Sequence, residues 1–248
     1  MNYRERCYQT YVSTKWQYTH SLTKKEYNLF SKVSEKRFKG ILPEDKDAKI
    51  IDAACGTGHF LYFLQKEGYT NTLGIDLSEE QLEMAAKMGV ENLQKADLFE
   101  YLPQHPQNFD MIAANDIIEH LKKDEVLKLL DLIYQSLKPG GQALIATLNT
   151  QSLFGNTTLF CDFTHEQGFT PKSLSQVMRV CNFQDVVVYG EKPIVHDLRS
   201  AVRAGLWWCT KRLLKAYLTI ERGTGRGMWK HDNILEPRIF AVGEKTNA

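Results

Sequence analysis

Three groups of side chains in this 248-residue chain have the types and spacing that chemistry needs. The first is Asn115-Asp116-Ile117-Ile118-Glu119-His120-Leu121. If a helical turn begins there, Asp116, Glu119 and His120 stand at i, i+3 and i+4 on one face. Two carboxylates and an imidazole so placed make half a site for Mg²⁺ or another divalent cation. The second is Asp162-Phe163-Thr164-His165-Glu166-Gln167-Gly168-Phe169-Thr170-Pro171, from which His165 could complete the ligand set. Without a metal, His165 or His120 would serve as a general base, because imidazole titrates near neutral pH and a hydroxyl needs help losing its proton. The third is Ile50-Ile51-Asp52-Ala53-Ala54-Cys55-Gly56-Thr57-Gly58-His59, an apolar run that ends in a glycine turn. A cofactor can lie against backbone only where no Cβ intrudes, and a helix starting after the turn offers free N–H donors. His59 itself reads as a pocket or surface residue of that helix.

The elements that must position these groups follow from periodicity. From Ala48, short apolar runs alternate with amphipathic segments: strands at Lys49–Asp52, Thr72–Asp76, Leu93–Asp97, Phe109–Asp116 and Gln142–Leu148, helices at His59–Glu67, Glu79–Met88 and Glu125–Leu137. Such alternation implies a parallel sheet covered on both faces. Lys138-Pro139-Gly140-Gly141 reads as a sharp stop between the last of these helices and its strand. Gln151–Gly168 is loop-like, Pro171–Val180 a helix with proline in its first turn, Asp185–Tyr189 a strand, and Ile234–Val242 a final strand. Residues 1–47 form a helical lead-in with Tyr11, Trp16, Tyr18, Leu22, Tyr27 and Phe30 at helix-like intervals. The chain thus divides into lead-in (1–47), core (48–190), a helical acceptor-side insertion (191–233) and a last core strand with tail (234–248).

Asp76 closes its strand 18 residues after Gly58, where an acidic residue accepts from ribose hydroxyls, and Asp97 ends the next strand. Three carboxylates around one glycine crevice repel a pyrophosphate and suit a cationic, phosphate-free nucleoside such as S-adenosylmethionine (SAM). Asp52-x-x-Cys-Gly-x-Gly, Asp76, Ala96-Asp97, Phe109-Asp110-x-Ile112 and Leu137-Lys-Pro-Gly-Gly141 together resemble the class I SAM-dependent methyltransferases over about residues 48–150. Ala54 departs from that pattern, standing where the family usually has its first glycine, so a slightly altered turn is expected. The resemblance implies an α/β fold with a Rossmann-like, seven-stranded, mostly parallel sheet, helices on both faces and the last strand antiparallel. It implies that Asp52 and the Gly56 and Gly58 backbone hold the methionine end, Asp76 the ribose, and Asp97 with Leu98 the adenine, with Ala54, Leu77 and Asn115 completing the cofactor-binding set.

The acidic-x-x-Glu-His stretch followed by a His-containing loop is similar to ubiquinone-pathway O-methyltransferases and small-RNA 3′-end 2′-O-methyltransferases, in which such residues hold a divalent ion against the acceptor hydroxyl. Asp-x-Thr-His-(x)₃-Phe-Thr-Pro more closely resembles sugar-directed methyltransferases of bacterial polysaccharide clusters. Glu-His-Leu also occurs in class I methyltransferases that bind no metal. The expected activity is therefore methyl transfer to a hydroxyl, first of all on a sugar of a glycan or its precursor. The alternatives are a quinone-type phenol, an RNA ribose 2′-hydroxyl, or SAM binding without catalysis.

Composition narrows the partners. A formal net charge of +1 and 43% hydrophobic residues give no global signal for nucleic acid or membrane. Nucleic acid is disfavoured, because basic residues concentrate in one apolar segment, 199–222, and no stacking and basic groove is readable elsewhere. That segment joins Arg199, Arg203, Lys211, Arg212 and Lys215 to Trp207, Trp208 and Tyr217. It reads either as an acceptor lid or peripheral membrane contact, or as a helix pair packing its apolar stripe on the core. Gly223-Thr-Gly-Arg-Gly227 reads as a hinge. Five scattered cysteines without a C-x-x-C pair, and no signal-peptide pattern, fit a reducing cytoplasm.

Overall fold

The computed structural model describes residues 3–8, 23–223 and 233–246. Of the expected lead-in, Tyr11, Trp16, Tyr18 and Leu22 lie outside those residues, as does the expected hinge beyond Gly223. Among the described residues seven strands form one sheet: β1 (Ile50–Ala53), β2 (Thr72–Asp76), β3 (Leu93–Lys95), β4 (Phe109–Asn115), β5 (Leu137–Leu148), β6 (Gln184–Gly190) and β7 (Arg238–Glu244). Their order is β3-β2-β1-β4-β5-β7-β6. β7 runs antiparallel to β5 and β6, and the other pairs are parallel. The parallel sheet is the one that the alternating pattern implied, and the seven strands with a reversed last one are what the family resemblance implied.

The helices are α1 (Tyr3–Tyr8), α2 (Lys24–Arg37), α3 (His59–Lys66), α4 (Glu79–Lys87), α5 (Leu98–Tyr101), α6 (Lys123–Ser136), α7 (Gly155–Leu159), α8 (Pro171–Val180) and α9 (Leu198–Arg222). Strand side chains alternate between faces, and the continuous apolar runs of the central strands therefore feed two cores. Ile50, Met111, Ala113, Leu144 and Phe240 meet Phe60, Phe63 and Leu64 of α3 and Phe38 at the end of α2. Ile51, Ile112, Ala114, Ala143 and Ile145 meet Val126, Leu129, Leu130 and Ile133 of α6 and Leu174 and Met178 of α8. The strand order reverses direction between β1 and β4, which opens a crevice beyond their carboxyl ends.

Several boundaries differ from the sequence pattern. Lys138-Pro139-Gly140-Gly141 lies inside β5: Leu137 already pairs with Phe109, and a register shift between Phe109 and Met111 absorbs the irregular stretch. β3 ends at Lys95, and Asp97 instead caps α5 by accepting from the Phe99 amide at 2.8 Å. The final strand begins at Arg238, because Ile234 to Pro237 pack as an irregular approach in which Asn149 donates to the carbonyls of Ile234 and Glu236. The expected helix pair after residue 191 is one continuous helix, α9, capped by Asp197 and Ser200.

Candidate active site

The glycine turn after β1 is built from left-handed backbone. Gly56 has φ 54° and Gly58 φ 76°, and a Cβ on Gly58 would lie 3.0 Å from the Ala85 Cβ. Ala54, at φ 61°, takes the same left-handed conformation with a side chain attached. Gly58 precedes α3 without a side-chain cap, leaving the helix N-terminus to a ligand.

Both carboxylate oxygens of Asp76 bind backbone, one accepting from the Gly56 amide and one from Ser78, each at 2.8 Å. Asp76 thus clamps the glycine turn as well as ending β2. Desolvation pushes its carboxyl up, against the lowering effect of those two amides. Asp52, 1% exposed, accepts from the Asn115 amide nitrogen at 3.2 Å, which joins the ends of β1 and β4. Burial pushes its carboxyl up to about 7, the Asn115 bond opposing and the nearby charges of Asp76 and Asp116 adding to the rise. A cationic ligand in this crevice would relieve that strain.

Helix α2 closes over the turn. Tyr27, fully buried, donates to the Thr57 carbonyl at 2.5 Å and stacks on His59 with ring centroids 3.9 Å apart. Tyr27 belongs to the expected lead-in and His59 to the helix after the glycine turn; spatially they form one stack against that turn. Leu98 is buried beside the Asp97 cap, while Leu77 is 62% exposed.

At the end of β4 the chain turns sharply: Asp116 has φ 54° and stands before a single 3₁₀ turn, Ile118–His120. The expected i, i+3, i+4 face therefore does not form. The Asp116 carboxylate instead pairs with Arg238 of β7 at 2.7 Å, and Arg238 also approaches Glu191 at 3.4 Å. Desolvation opposes the charge on Arg238, but the carboxylates of Asp116 and Glu191 outweigh it and hold the guanidinium charged. Nothing in a strand-like run singles out Arg238 beforehand.

Glu119, His120 and His165 do converge, each offering an atom such that all lie within 4.8 Å of one another. The His165 loop is tied down by the amide of Glu166, which donates to the Glu119 carbonyl at 2.8 Å, and by the Gln167 side chain, which donates to the Leu121 carbonyl at 3.0 Å. Thr164 Oγ1 donates to Asp162 Oδ1 at 2.7 Å. Its one proton being spent there, it must accept from His120 Nδ1, 2.9 Å away. His165 Nδ1 lies 2.5 Å from the Leu159 carbonyl, which can only accept. Nδ1 of each ring is thus engaged as a donor, and His165 Nε2 lies 3.9 Å from Asp162 Oδ2. Glu119, 1% exposed, accepts from Thr147 Oγ1 at 2.9 Å. Burial, followed by the charge of Asp116, pushes its carboxyl up to about 8. One oxygen donor and two nitrogen donors, with their outer atoms held by Thr147, Thr164 and Leu159, fit a mixed-ligand divalent cation. Asp116 is not part of that group.

A family profile described as a methyltransferase domain matches residues 24–188. The chain belongs to the class I SAM-dependent methyltransferases. SAM is the cofactor of that family, in keeping with the acidic, glycine-lined crevice. This methyltransferase is similar to the malonyl-[acyl-carrier protein] O-methyltransferase of Pectobacterium atrosepticum, 29% identical over 122 residues (49% of this chain, 47% of the relative). It is similar to the ubiquinone biosynthesis O-methyltransferase of Dechloromonas aromatica, 31% identical over 106 residues (41% and 44%). It is also similar to the phosphoethanolamine N-methyltransferase of Plasmodium falciparum, 25% identical over 151 residues (58% and 56%). The matched segments span about half the length of these curated relatives. In fold the methyltransferase resembles a SAM-dependent methyltransferase from Archaeoglobus fulgidus, with a TM-score of 0.62 at 22% identity, covering 87% of this chain and 94% of the other.

Proposed function

We propose that this methyltransferase transfers the methyl group of SAM to a hydroxyl oxygen of its acceptor. The observation that carries the reading is the convergence of Glu119, His120 and His165, the first two of which follow the carboxyl end of β4. In it, Asp52 and the Gly56–Gly58 backbone hold the methionine end of SAM, Asp76 the ribose, and Asp97 with Leu98 the adenine. Glu119, His120 and His165 would hold a divalent cation such as Mg²⁺, which would supply Lewis-acid polarisation of the acceptor hydroxyl. Without a cation, His165 or His120 would instead take the hydroxyl proton, with the acceptor oxygen in line with the sulfonium methyl.

The acceptor class we put first is a sugar hydroxyl of a glycan or its precursor, supported by the resemblance of the Asp162–Pro171 stretch to sugar-directed enzymes. A second reading, a quinone-type phenol, is supported by the exposed Leu153, Phe154, Phe160 and Phe163 on the loop that carries His165. The same reading places the protein in a reducing cytoplasm, supported by its five unpaired thiols. Methyl transfer from labelled SAM to nucleotide sugars, lipid-linked glycans, phenols, amines and RNA, each with and without EDTA, tests it. Transfer to an amine alone, or SAM binding without transfer to any of these acceptors, overturns the hydroxyl reading.

A further inference from the structure

Helix α9 runs 25 residues, about 37 Å at the α-helical rise. One face holds it to the chain. Ser200 is buried in the N-terminal cap, and Lys211 pairs with the buried carboxylate of Glu236 at 2.5 Å. Trp207, Leu214 and Leu218 are partly covered along the same side. The opposite side is apolar and open. Leu198, Val202, Leu206, Leu213, Tyr217 and Ile220 recur at intervals of four, four, seven, four and three, which aligns them in one stripe, and their exposures run from 56 to 84%. A surface helix ordinarily turns such a stripe toward the core. Here it faces outward.

The stripe is bordered by charge of one sign. The helix carries six Arg and Lys residues against Glu221 alone, while the whole chain is only +1, so the rest of the protein is net negative. The Arg212 guanidinium lies 3.9 Å over the half-exposed Trp208 ring. An apolar stripe with basic flanks and an indole at its margin is what the boundary between lipid headgroups and acyl chains accommodates.

We propose that α9 docks the protein on an anionic phospholipid bilayer, lying in the interface plane with Leu206, Leu213, Tyr217 and Ile220 among the upper acyl carbons and Arg199, Arg203 and Arg212 on lipid phosphates. The helix lies on the membrane, since no described helix is long and apolar enough to cross one. Charge selects lipid over a second copy of the chain: two α9 stripes face to face would bring two basic rows together, whereas lipid phosphates complement them. The proposal stands whichever acceptor is methylated.

Sedimentation of the full chain with large vesicles of phosphatidylcholine, with and without phosphatidylglycerol, tests it. The chain should pellet with the anionic vesicles, stay in solution with phosphatidylcholine alone, and be released by high salt. Leu206→Glu with Leu213→Glu should abolish pelleting while the melting temperature and SAM affinity hold. Arg199→Gln with Arg203→Gln and Arg212→Gln leaves the stripe intact and should lower partitioning on the order of a hundredfold, which keeps the test decisive if the glutamate pair disturbs folding. Failure of the unaltered chain to pellet on anionic vesicles, or pelleting that survives both sets of changes, overturns the proposal. So does a concentration-dependent dimer in sedimentation equilibrium that the glutamate pair converts to monomer, because a second copy would then cover the stripe.

Discussion

Asp52 sits almost fully buried with its carboxyl pushed up to about 7, so near neutral pH a good part of it carries a proton. A SAM cation beside it favours the carboxylate, and binding should therefore release protons and tighten as pH rises through about 7. Calorimetry near pH 7 in buffers of different ionisation enthalpy should show buffer-dependent heats that Asp52→Asn removes; identical heats would count against this role. For the unliganded fold the sign is opposite. The folded-state pKa lies above the unfolded value of about 3.9, so this group's ionisation costs stability that grows as pH rises from about 4 towards about 7. Asp76→Ala removes the acceptor for two backbone amides as well as the proposed ribose contact, and should weaken SAM binding by about 1–3 kcal/mol. Unchanged calorimetric affinity would refute the assignment. At the acceptor end, Glu119→Ala and His165→Ala should abolish activity and, if a cation binds, Mn²⁺ binding measured by paramagnetic resonance. Asp116→Ala should leave Mn²⁺ binding largely intact, because its carboxylate belongs to Arg238. Full activity in EDTA on protein shown to be metal-free would leave His165 as base, with activity then falling as pH drops through the imidazole range.

Among the elements, α2 is the one whose role differs most from its place in the chain. Its Tyr27 locks the glycine turn through the Thr57 carbonyl, so Tyr27→Phe, which keeps the stack on His59, should cost about 1 kcal/mol of stability. The same change should loosen SAM binding, and a thermal melt with a SAM titration checks both. Gly58→Ala is harsher, since it combines a left-handed φ of 76° with a Cβ 3.0 Å from Ala85, and α4 would have to move. The short β5 irregularity at Lys138-Pro139-Gly140-Gly141 illustrates the limit of local patterns. Proline and glycine read as a stop, yet Leu137 is held in register by Phe109 from β4, a partner about thirty residues earlier that no local window contains.

At the scale of the whole molecule, Lys211 of α9 pairs with Glu236 on the approach to β7, and Glu236 is in turn tied to the end of β5 through its carbonyl, which accepts from Asn149. Glu236 is buried against Gly190, where a Cβ would lie 2.3 Å from its carboxylate oxygen. Lys211→Met strands that charge and should cost about 3 kcal/mol in urea unfolding, whereas Lys211→Met with Glu236→Gln should recover much of the loss. A single change with no effect on the unfolding midpoint would show that the pair does not anchor α9.

The alternation of short apolar runs with amphipathic segments was enough to determine the parallel sheet and its two faces, because burial on both sides of a strand writes itself directly into local composition. The glycine turn, Asp52, Asp76 and the Glu119-His120 and His165 stretches were legible for a similar reason: backbone approach and ligand chemistry restrict residue type at each position. Tertiary structure alone decided that Asp116 pairs with Arg238, that Thr147 and Thr164 orient Glu119 and His120, and that Tyr27 covers the cofactor turn. These are contacts between residues 28 to 122 positions apart, and sequence carries no periodic trace of them. The stripe on α9 was equally visible as a pattern, but whether it faced core or solvent depended on which side Lys211 and Ser200 fastened, and an amphipathic period is the same in either orientation.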